Sequence, residues 1–238
     1  MEEFTRDEPL HFISCDAQAR YYCVVLWLRR AIVIGLVVVL VAGLAWLWLR
    51  SRTQVSVTLS ASAFANWPII VSDGTDPWIV ALAPPAGIMA TLSADVTRRV
   101  GRPLFAPPHP GLPLVLRTEF DEALQGVYGT DSVLRMAHDV SVDATRLQPV
   151  CLAHRVSNGP SGRAEIFFVP FESPEFWQLR ADLTPIEPEH AGVGVYDPST
   201  LSPILIVGAT DANFDRWWPL PFDAATDCVG VVAMSTQN

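Results

Sequence analysis

The chain has 238 residues and a formal net charge of −9 at pH 7. Half of its residues are hydrophobic, and no long charged or Ser/Gly-only tract interrupts them, which excludes extensive disorder. Residues 53–238 carry a net charge of −10, and such an acidic segment disfavours nucleic-acid binding because it repels phosphate. Every basic residue is arginine, a composition that suggests a GC-rich, bacterial genome.

An uncharged apolar run over residues 31–49 dominates the N-terminal part of the chain. A helix of this length would be about 29 Å long, enough to cross the hydrocarbon core of a bilayer. Arginines lie at both ends of the run, and tryptophans lie where an interfacial aromatic belt forms. The run therefore predicts one transmembrane helix anchored in the lipid bilayer. The predicted anchor residues are Arg29, Arg30, Trp46, Trp48 and Arg50.

The arginines around this run also predict its direction across the membrane. Three arginines precede it closely and two follow it, and arginine is enriched on the cytoplasmic side. We expect residues 1–30 to be a short cytoplasmic segment and residues 50–238 to be a domain outside the cytoplasmic (inner) membrane. A signal peptide cleaved near Ala61-Ser62-Ala63 is the alternative, but cleavage normally follows the apolar run more closely.

Residues 50–238 predict one α+β domain, in which a mixed or antiparallel sheet is interleaved with short helices. The segment 53–59 alternates polar and apolar residues, as a half-buried strand does. A helix is predicted over 86–100, since prolines precede it and Gly101 follows it. Further short helices are predicted after the capping residues Thr118, Asp131, Ser173 and Asp211. Further strands are predicted at 69–71, 78–82, 112–117, 149–156, 164–169, 192–196, 204–208 and 228–234.

Prolines are concentrated in residues 102–113. Because proline donates no backbone hydrogen bond and favours extended backbone, this segment predicts a semi-rigid connector without regular structure. The connector could equally be a boundary between a membrane-proximal and a distal part of the outer domain.

Two of the four cysteines, Cys151 and Cys228, follow the apolar run. In an oxidising compartment they are the available pair for a disulfide. Such a bridge also requires the strands at 149–156 and 228–234 to be neighbours. Two buried free thiols are the alternative, because cysteine is among the most buried residue types.

No catalytic, metal-binding or cofactor motif stands out. The sequence has neither a G-x-S-x-G turn nor a Gly-rich phosphate loop, and without lysine it has no S-x-x-K motif. Cys151 and His154 would point to opposite faces of a strand, which argues against a shared metal. The acidic pairs fall at predicted helix starts or in loops, where they stabilise the helix dipole or are solvated. We therefore predict no cofactor and assign no catalytic residue.

The segment 215–222 is rich in tryptophan, arginine and phenylalanine, the residue types that dominate protein interfaces. The candidates for binding a partner are Arg216, Trp217, Trp218 and Phe222. The alternative is that these aromatic side chains fill the core beneath the last strands.

These features predict a single-pass, membrane-anchored envelope protein whose acidic outer domain binds another protein, in assembly, as a scaffold or to neutralise an effector. The alternative is a membrane-anchored hydrolase acting on an envelope polymer. That alternative requires His138, His154 or His190 to converge with an acid in a deep cavity.

Overall fold

The computed structural model describes residues 29, 31–45, 55–185, 195–217 and 222–235, and the chain divides into two compact units, residues 1–52 and 53–238. In the first unit, residues 31–45 form helix α1. Within the described ranges, no helix combines the length and the apolar character needed to span a membrane. Residues 46–49 of the predicted span lie outside those ranges.

The second unit has the α+β architecture that the sequence predicts. Its helices are α2 (Ala86–Val100), α3 (Arg117–Glu119), α4 (Thr130–Asp139), α5 (Pro174–Asp182) and α6 (Ala224–Asp227), with a 3-10 turn (Ala61–Phe64) and a π-helical turn (Phe120–Leu124). Its strands are β1 (Val55–Ser60), β2 (Ile69–Val71), β3 (Trp78–Leu82), β4 (Leu112–Leu116), β5 (Gln148–Pro149), β6 (Leu152–Gly159), β7 (Gly162–Glu172), β8 (Ile204–Ala209) and β9 (Cys228–Ser235).

The strands form one mixed and one antiparallel sheet. In the mixed sheet the hydrogen-bonded order is β1, β9, β6 and β7, and β8 pairs with the other edge of β7. The β1–β9 pair is parallel, whereas β6 is antiparallel to both β7 and β9. The short strand β5 pairs with the end of β7. Strands β2, β3 and β4 form the three-stranded antiparallel sheet.

Alternating side chains of the mixed sheet contribute to two separate hydrophobic clusters. Phe167 and Val169 of β7 face a large core that also contains buried side chains of α2 and of the three-stranded sheet. Ile166 and Phe168 face a smaller core on the opposite side of the sheet. Because side chains alternate along a strand, the continuously apolar residues 166–171 of β7 serve both faces of the sheet, and the strand separates the two cores.

The proline-rich segment is tied to the mixed sheet. Phe105 exchanges backbone hydrogen bonds of 2.8 and 2.9 Å with Ala209 at the end of β8. A Cβ atom at Gly208 would lie only 2.8 Å from the Phe105 carbonyl oxygen, so this close approach requires glycine. The expectation that 102–113 carries no regular structure is also wrong at its end, because Leu112 begins β4.

Two predicted helix starts are displaced, the first of them by a capping contact that the sequence did not indicate. Thr118 is not a cap, because α3 begins at Arg117, where the Glu119 carboxylate accepts a hydrogen bond from the Leu116 N–H. Asp131 lies within the first turn of α4 rather than before it. The Ser173 cap is confirmed, since its hydroxyl accepts a hydrogen bond of 3.2 Å from the Phe176 N–H.

The helix predicted after Asp211 is wrong, and residues 211–217 form an irregular loop instead. The Asp211 carboxylate accepts hydrogen bonds from the backbone N–H groups of Ser161 and Asn213. It thereby fastens the loop to the β6–β7 hairpin. A Cβ atom at Gly159 would lie 2.6 Å from this carboxylate, so glycine is required for the contact. Of the strand predicted at 192–196, residues 192–194 lie outside the described ranges and residues 195 and 196 are not in a strand.

Candidate functional site

The disulfide predicted between Cys151 and Cys228 is confirmed. Their Cα atoms are 5.8 Å apart, and the bridge joins residues separated by 77 positions. It lies where β6 and β9 are neighbours, because Ala153 and Cys228 are partners in their antiparallel register. The bridge therefore joins the last strand to the centre of the mixed sheet.

Trp217, a predicted partner-binding residue, is buried and belongs to the smaller core. It is 8% exposed, and its ring meets the Phe214 ring edge-on at a centroid distance of 4.9 Å. Phe222 is half-buried against the same cluster and meets Phe168 edge-on. Trp217 therefore does not belong to an exposed aromatic patch, because its ring packs into the smaller core on the outer face of the sheet. For Trp217 and Phe222, the alternative in which aromatic residues fill a core describes the arrangement, and the partner-binding role of the segment stays a prediction.

The remaining predicted binding and anchor residues are only partly placed. Arg216 is exposed beside Trp217, whereas Trp218 lies outside the described ranges. Arg29 is helical and exposed. The other predicted anchor residues, Arg30, Trp46, Trp48 and Arg50, lie outside the described ranges.

Three histidines within the described ranges lie close to carboxylates, and each is paired with a different acid. This arrangement is relevant to the hydrolase alternative, which requires a histidine and an acid to meet in a cavity. The shortest contact joins His109 Nδ1 to Asp76 Oδ1 at 2.6 Å. Among the described residues, no hydroxyl or thiol is hydrogen-bonded to His109. The other pairs are His138 with Asp143 and His154 with Glu165, and His190 lies outside the described ranges.

A buried ion pair joins α5 to the start of α3. Arg180 is 0% exposed, and its two terminal nitrogens donate hydrogen bonds of 2.9 and 2.7 Å to the two carboxylate oxygens of Glu119. The same guanidinium group donates to the carbonyl oxygens of Pro198, Asp197 and Leu114. Because a buried guanidinium is costly unless paired, these contacts fix residues 197–198 against β4 and α3.

The Glu119 carboxylate is saturated by donors. Besides Arg180, it accepts hydrogen bonds from the Leu116 N–H at 3.0 Å and the Thr200 hydroxyl at 2.7 Å. Burial raises the pKa of Glu119, but the hydrogen bonds and charge of Arg180, helped by Thr200 and Leu116, outweigh burial and hold that pKa below its usual value. An ionised carboxylate with four donors is a structural anchor rather than an acid catalyst.

A pocket with a cavity volume of about 180 Å³ lies beside this ion pair, between residues 116–123 and 195–200. Tyr196 lines it with its ring 5.0 Å from the Arg180 guanidinium carbon. Tyr196 is 6% exposed, and its hydroxyl has no hydrogen-bond partner among the described residues. Burial raises the pKa of this phenol, although the charge of Arg180 acts to lower it. The hydroxyl is therefore neutral and can both donate and accept a hydrogen bond.

Carboxylates give the pocket its charge. Glu122 lines it from the π-helical turn, and Asp197 lines it from the opposite side. Hydrogen bonds from the Ser199 hydroxyl and N–H lower the pKa of Asp197. Unlike Glu119, neither carboxylate forms an ion pair with an arginine within the described ranges, although the charge of Arg180 also helps to lower the pKa of Asp197. The arrangement is suited to binding a group that donates hydrogen bonds.

No sequence pattern predicts this pocket. Glu119 and Glu122 have the positions of helix-start acids, and neither Arg180 nor Tyr196 belongs to a recognisable motif. The four residues are spread over nearly eighty positions and share no motif. The available signal was Arg180 on the buried side of α5, between Phe176 and Leu183, since a buried arginine requires a carboxylate partner.

Comparison with protein-family models, with curated proteins and with solved structures found no match. Within the described ranges, no group of three or more His, Cys, Asp and Glu residues could hold a metal ion.

Proposed function

We propose that the chain is a single-pass membrane-anchored envelope protein whose acidic C-terminal domain binds another protein outside the cytoplasmic membrane. The membrane anchor is supported above all by the exposure of the apolar side chains of α1. The large apolar side chains of residues 31–45 are 55–70% exposed, and a continuous apolar surface of this kind requires lipid or another chain to cover it. With residues 46–49, the uncharged run is long enough to cross a bilayer.

The disulfide supports placing the domain outside the cytoplasm. Structural disulfides persist in the periplasm and in other oxidising compartments, whereas cytosolic thiols are kept reduced. The arginine distribution around residues 31–49 agrees with a cytoplasmic N-terminus. The proposed localisation is therefore the cytoplasmic membrane, with residues 1–30 inside and residues 50–238 outside.

Binding, rather than hydrolysis, is supported by the carboxylate pocket and by the separation of the histidine–carboxylate pairs. The proposed partner is a protein and not a nucleic acid, because the outer domain has a net charge of −10 and would repel phosphate. The work could be assembly, scaffolding or neutralisation of a secreted effector.

Purification of the full chain from its native membrane in mild detergent tests this function. We expect a partner protein to remain bound in a fixed stoichiometry, identified by mass spectrometry. A matched sample solubilised after high-salt washing should lose part of that partner, since charged contacts are screened by salt. A chain that is recovered alone at both ionic strengths would contradict the binding function.

A further inference from the structure

The pocket beside Tyr196 has an uneven charge balance. Arg180 neutralises Glu119 and is itself completely buried, so the charge of Arg180 is balanced by Glu119 inside the domain. The carboxylates of Glu122 and Asp197 remain at the pocket without an arginine partner in the described part of the chain. The pocket therefore favours a cation over an anion or a neutral group.

The Tyr196 hydroxyl is a second, independent feature. A buried hydroxyl without a hydrogen bond costs about 1–3 kcal/mol of stability, so such groups in native structures need an explanation. Tyr196 lines the pocket, and a donor entering the pocket would give its oxygen the missing hydrogen bond. The Arg180 guanidinium carbon lies 5.0 Å from the centre of the Tyr196 ring, and this cation–π contact fixes the orientation of the phenol.

The size of the pocket restricts what can enter. Its volume is about 180 Å³, whereas a cavity of about 150 Å³ holds a benzene molecule and sites for drug-sized ligands start at about 300 Å³. A single long side chain fits these dimensions better than a cofactor does.

We propose that this pocket binds one arginine or lysine side chain of the protein partner. The inference rests on the proposed protein-binding function and names the contact that serves it. The aliphatic stem lies along Leu116 and Ala123, and the charged group meets Glu122, Asp197 and the Tyr196 hydroxyl. Arginine and lysine carry only donors at their charged ends, which matches a pocket whose carboxylates accept hydrogen bonds.

The test measures binding of a capped Gly-Arg-Gly peptide to the full chain in detergent micelles at low salt, by calorimetry or ligand-detected NMR. The neutral control is the same peptide with citrulline in place of arginine. We expect the arginine peptide to bind at millimolar or lower concentration and the citrulline peptide to bind at least about tenfold more weakly, since charge-assisted hydrogen bonds are the stronger ones. Equal binding of both peptides would overturn the proposal.

Two neighbouring acids provide a matched pair of variants. Asp121 and Glu122 are both exposed in the same π-helical turn, but only Glu122 lines the pocket. Glu122→Gln should weaken binding of the arginine peptide by about threefold to tenfold, because it removes a charge that lines the pocket. Asp121→Asn should change binding by less than about twofold, because it removes a charge outside the pocket. Since both variants change the net charge equally, the difference between them measures the contact in the pocket. An equal loss in the two variants would show a diffuse charge effect and overturn the proposal.

Tyr196→Phe separates a binding role from a structural one. Because the hydroxyl makes no hydrogen bond with the residues that the structure describes, its removal should leave the urea midpoint unchanged or raise it. The same variant should weaken binding of the arginine peptide by about threefold or more. Unchanged binding would overturn the proposal.

The outcomes for the pocket and for the proposed function are distinguishable. If a partner is recovered in equal amounts with Glu122→Gln and with the unaltered chain, the pocket inference fails while the binding function stands. Absence of any partner, with the peptide still bound, would place the failure with the function.

Discussion

Arg180 is the side chain on which the region around the pocket depends most, because it is fully buried and makes six hydrogen bonds. Removing one member of a buried ion pair leaves the other charge uncompensated. We expect Glu119→Gln to lower the free energy of unfolding by about 3–5 kcal/mol, measured by urea denaturation of the full chain in detergent. A loss below about 1 kcal/mol, typical of exposed pairs, would contradict the burial of this pair.

A double variant provides the control for that measurement. In Glu119→Leu with Arg180→Met, no buried charge is left unpaired, so part of the lost stability should return. The return should be incomplete, because the Leu116 N–H loses its side-chain acceptor and the carbonyl oxygens of Pro198 and Leu114 lose the donor Arg180.

Trp217 and Arg216 are adjacent in sequence but differ in environment. Trp217→Ala removes a buried ring from the smaller core and should cost about 3–5 kcal/mol. Arg216→Ala changes an exposed side chain and should stay within about 0.5 kcal/mol. Urea unfolding followed by circular dichroism checks both. Similar costs for the two variants would show that the loop 211–217 does not pack on the sheet as described.

At this scale, composition predicted the kinds of residue that matter but not their partners. Tryptophan and phenylalanine near residue 217 suit an interface or a core equally, and only the apolar outer face of β6, β7 and β8 decides between them. That face was hidden in the sequence, because β7 reads as a nearly continuous apolar run and so gives no sign of which residues face outwards.

At the scale of elements, the strand and helix predictions with a local cause were the successful ones. The segment 53–59, in which polar and apolar residues alternate, contains most of β1, and Val57 and Leu59 are buried. Helix α2 is terminated by Gly101, which has a φ of 72°. The helix predicted after Asp211 failed because of a distant contact. Asp211 has the composition of a helix cap, but its carboxylate binds the N–H of Ser161, fifty positions away.

The disulfide links β9 to the chain at the start of β6, and its removal should measurably lower the stability of the domain. Replacing Cys151 and Cys228 with alanine should lower the free energy of unfolding by about 4 kcal/mol, the value expected when a loop of this length is no longer closed in the unfolded chain. Equal urea midpoints for this variant and the unaltered chain would contradict a structural role for the bridge.

At the scale of the whole molecule, carboxylates with lowered pKa values govern the response to acid. Glu119, Asp197 and Asp211 each have a pKa held below the ordinary value, chiefly by hydrogen bonds and, for Glu119, by Arg180 against the opposing effect of burial. Such groups stabilise the fold fully above their unfolded pKa values, and this contribution is lost as the pH falls through the folded values.

The contribution of these carboxylates to stability should therefore be complete above about pH 5 and decrease below it, since the ordinary pKa of Glu119 is 4.5 and those of the aspartates are lower. Urea unfolding between pH 7 and pH 3 measures this. Glu119→Gln should show a shallower acid loss than the unaltered chain. A stability that rises on acidification would contradict the signs of these shifts.

The membrane anchor and the position of the acidic domain outside the cytoplasm are the central claim, and protease accessibility tests them together. The full chain with a C-terminal epitope is produced in bacterial cells, and protease is added to sealed spheroplasts before and after detergent. A parallel membrane sample is washed at alkaline pH, and we expect the chain to stay in the membrane. We also expect protease to remove the epitope without detergent. An epitope that survives until detergent is added, or a chain released by the wash, would contradict the central claim.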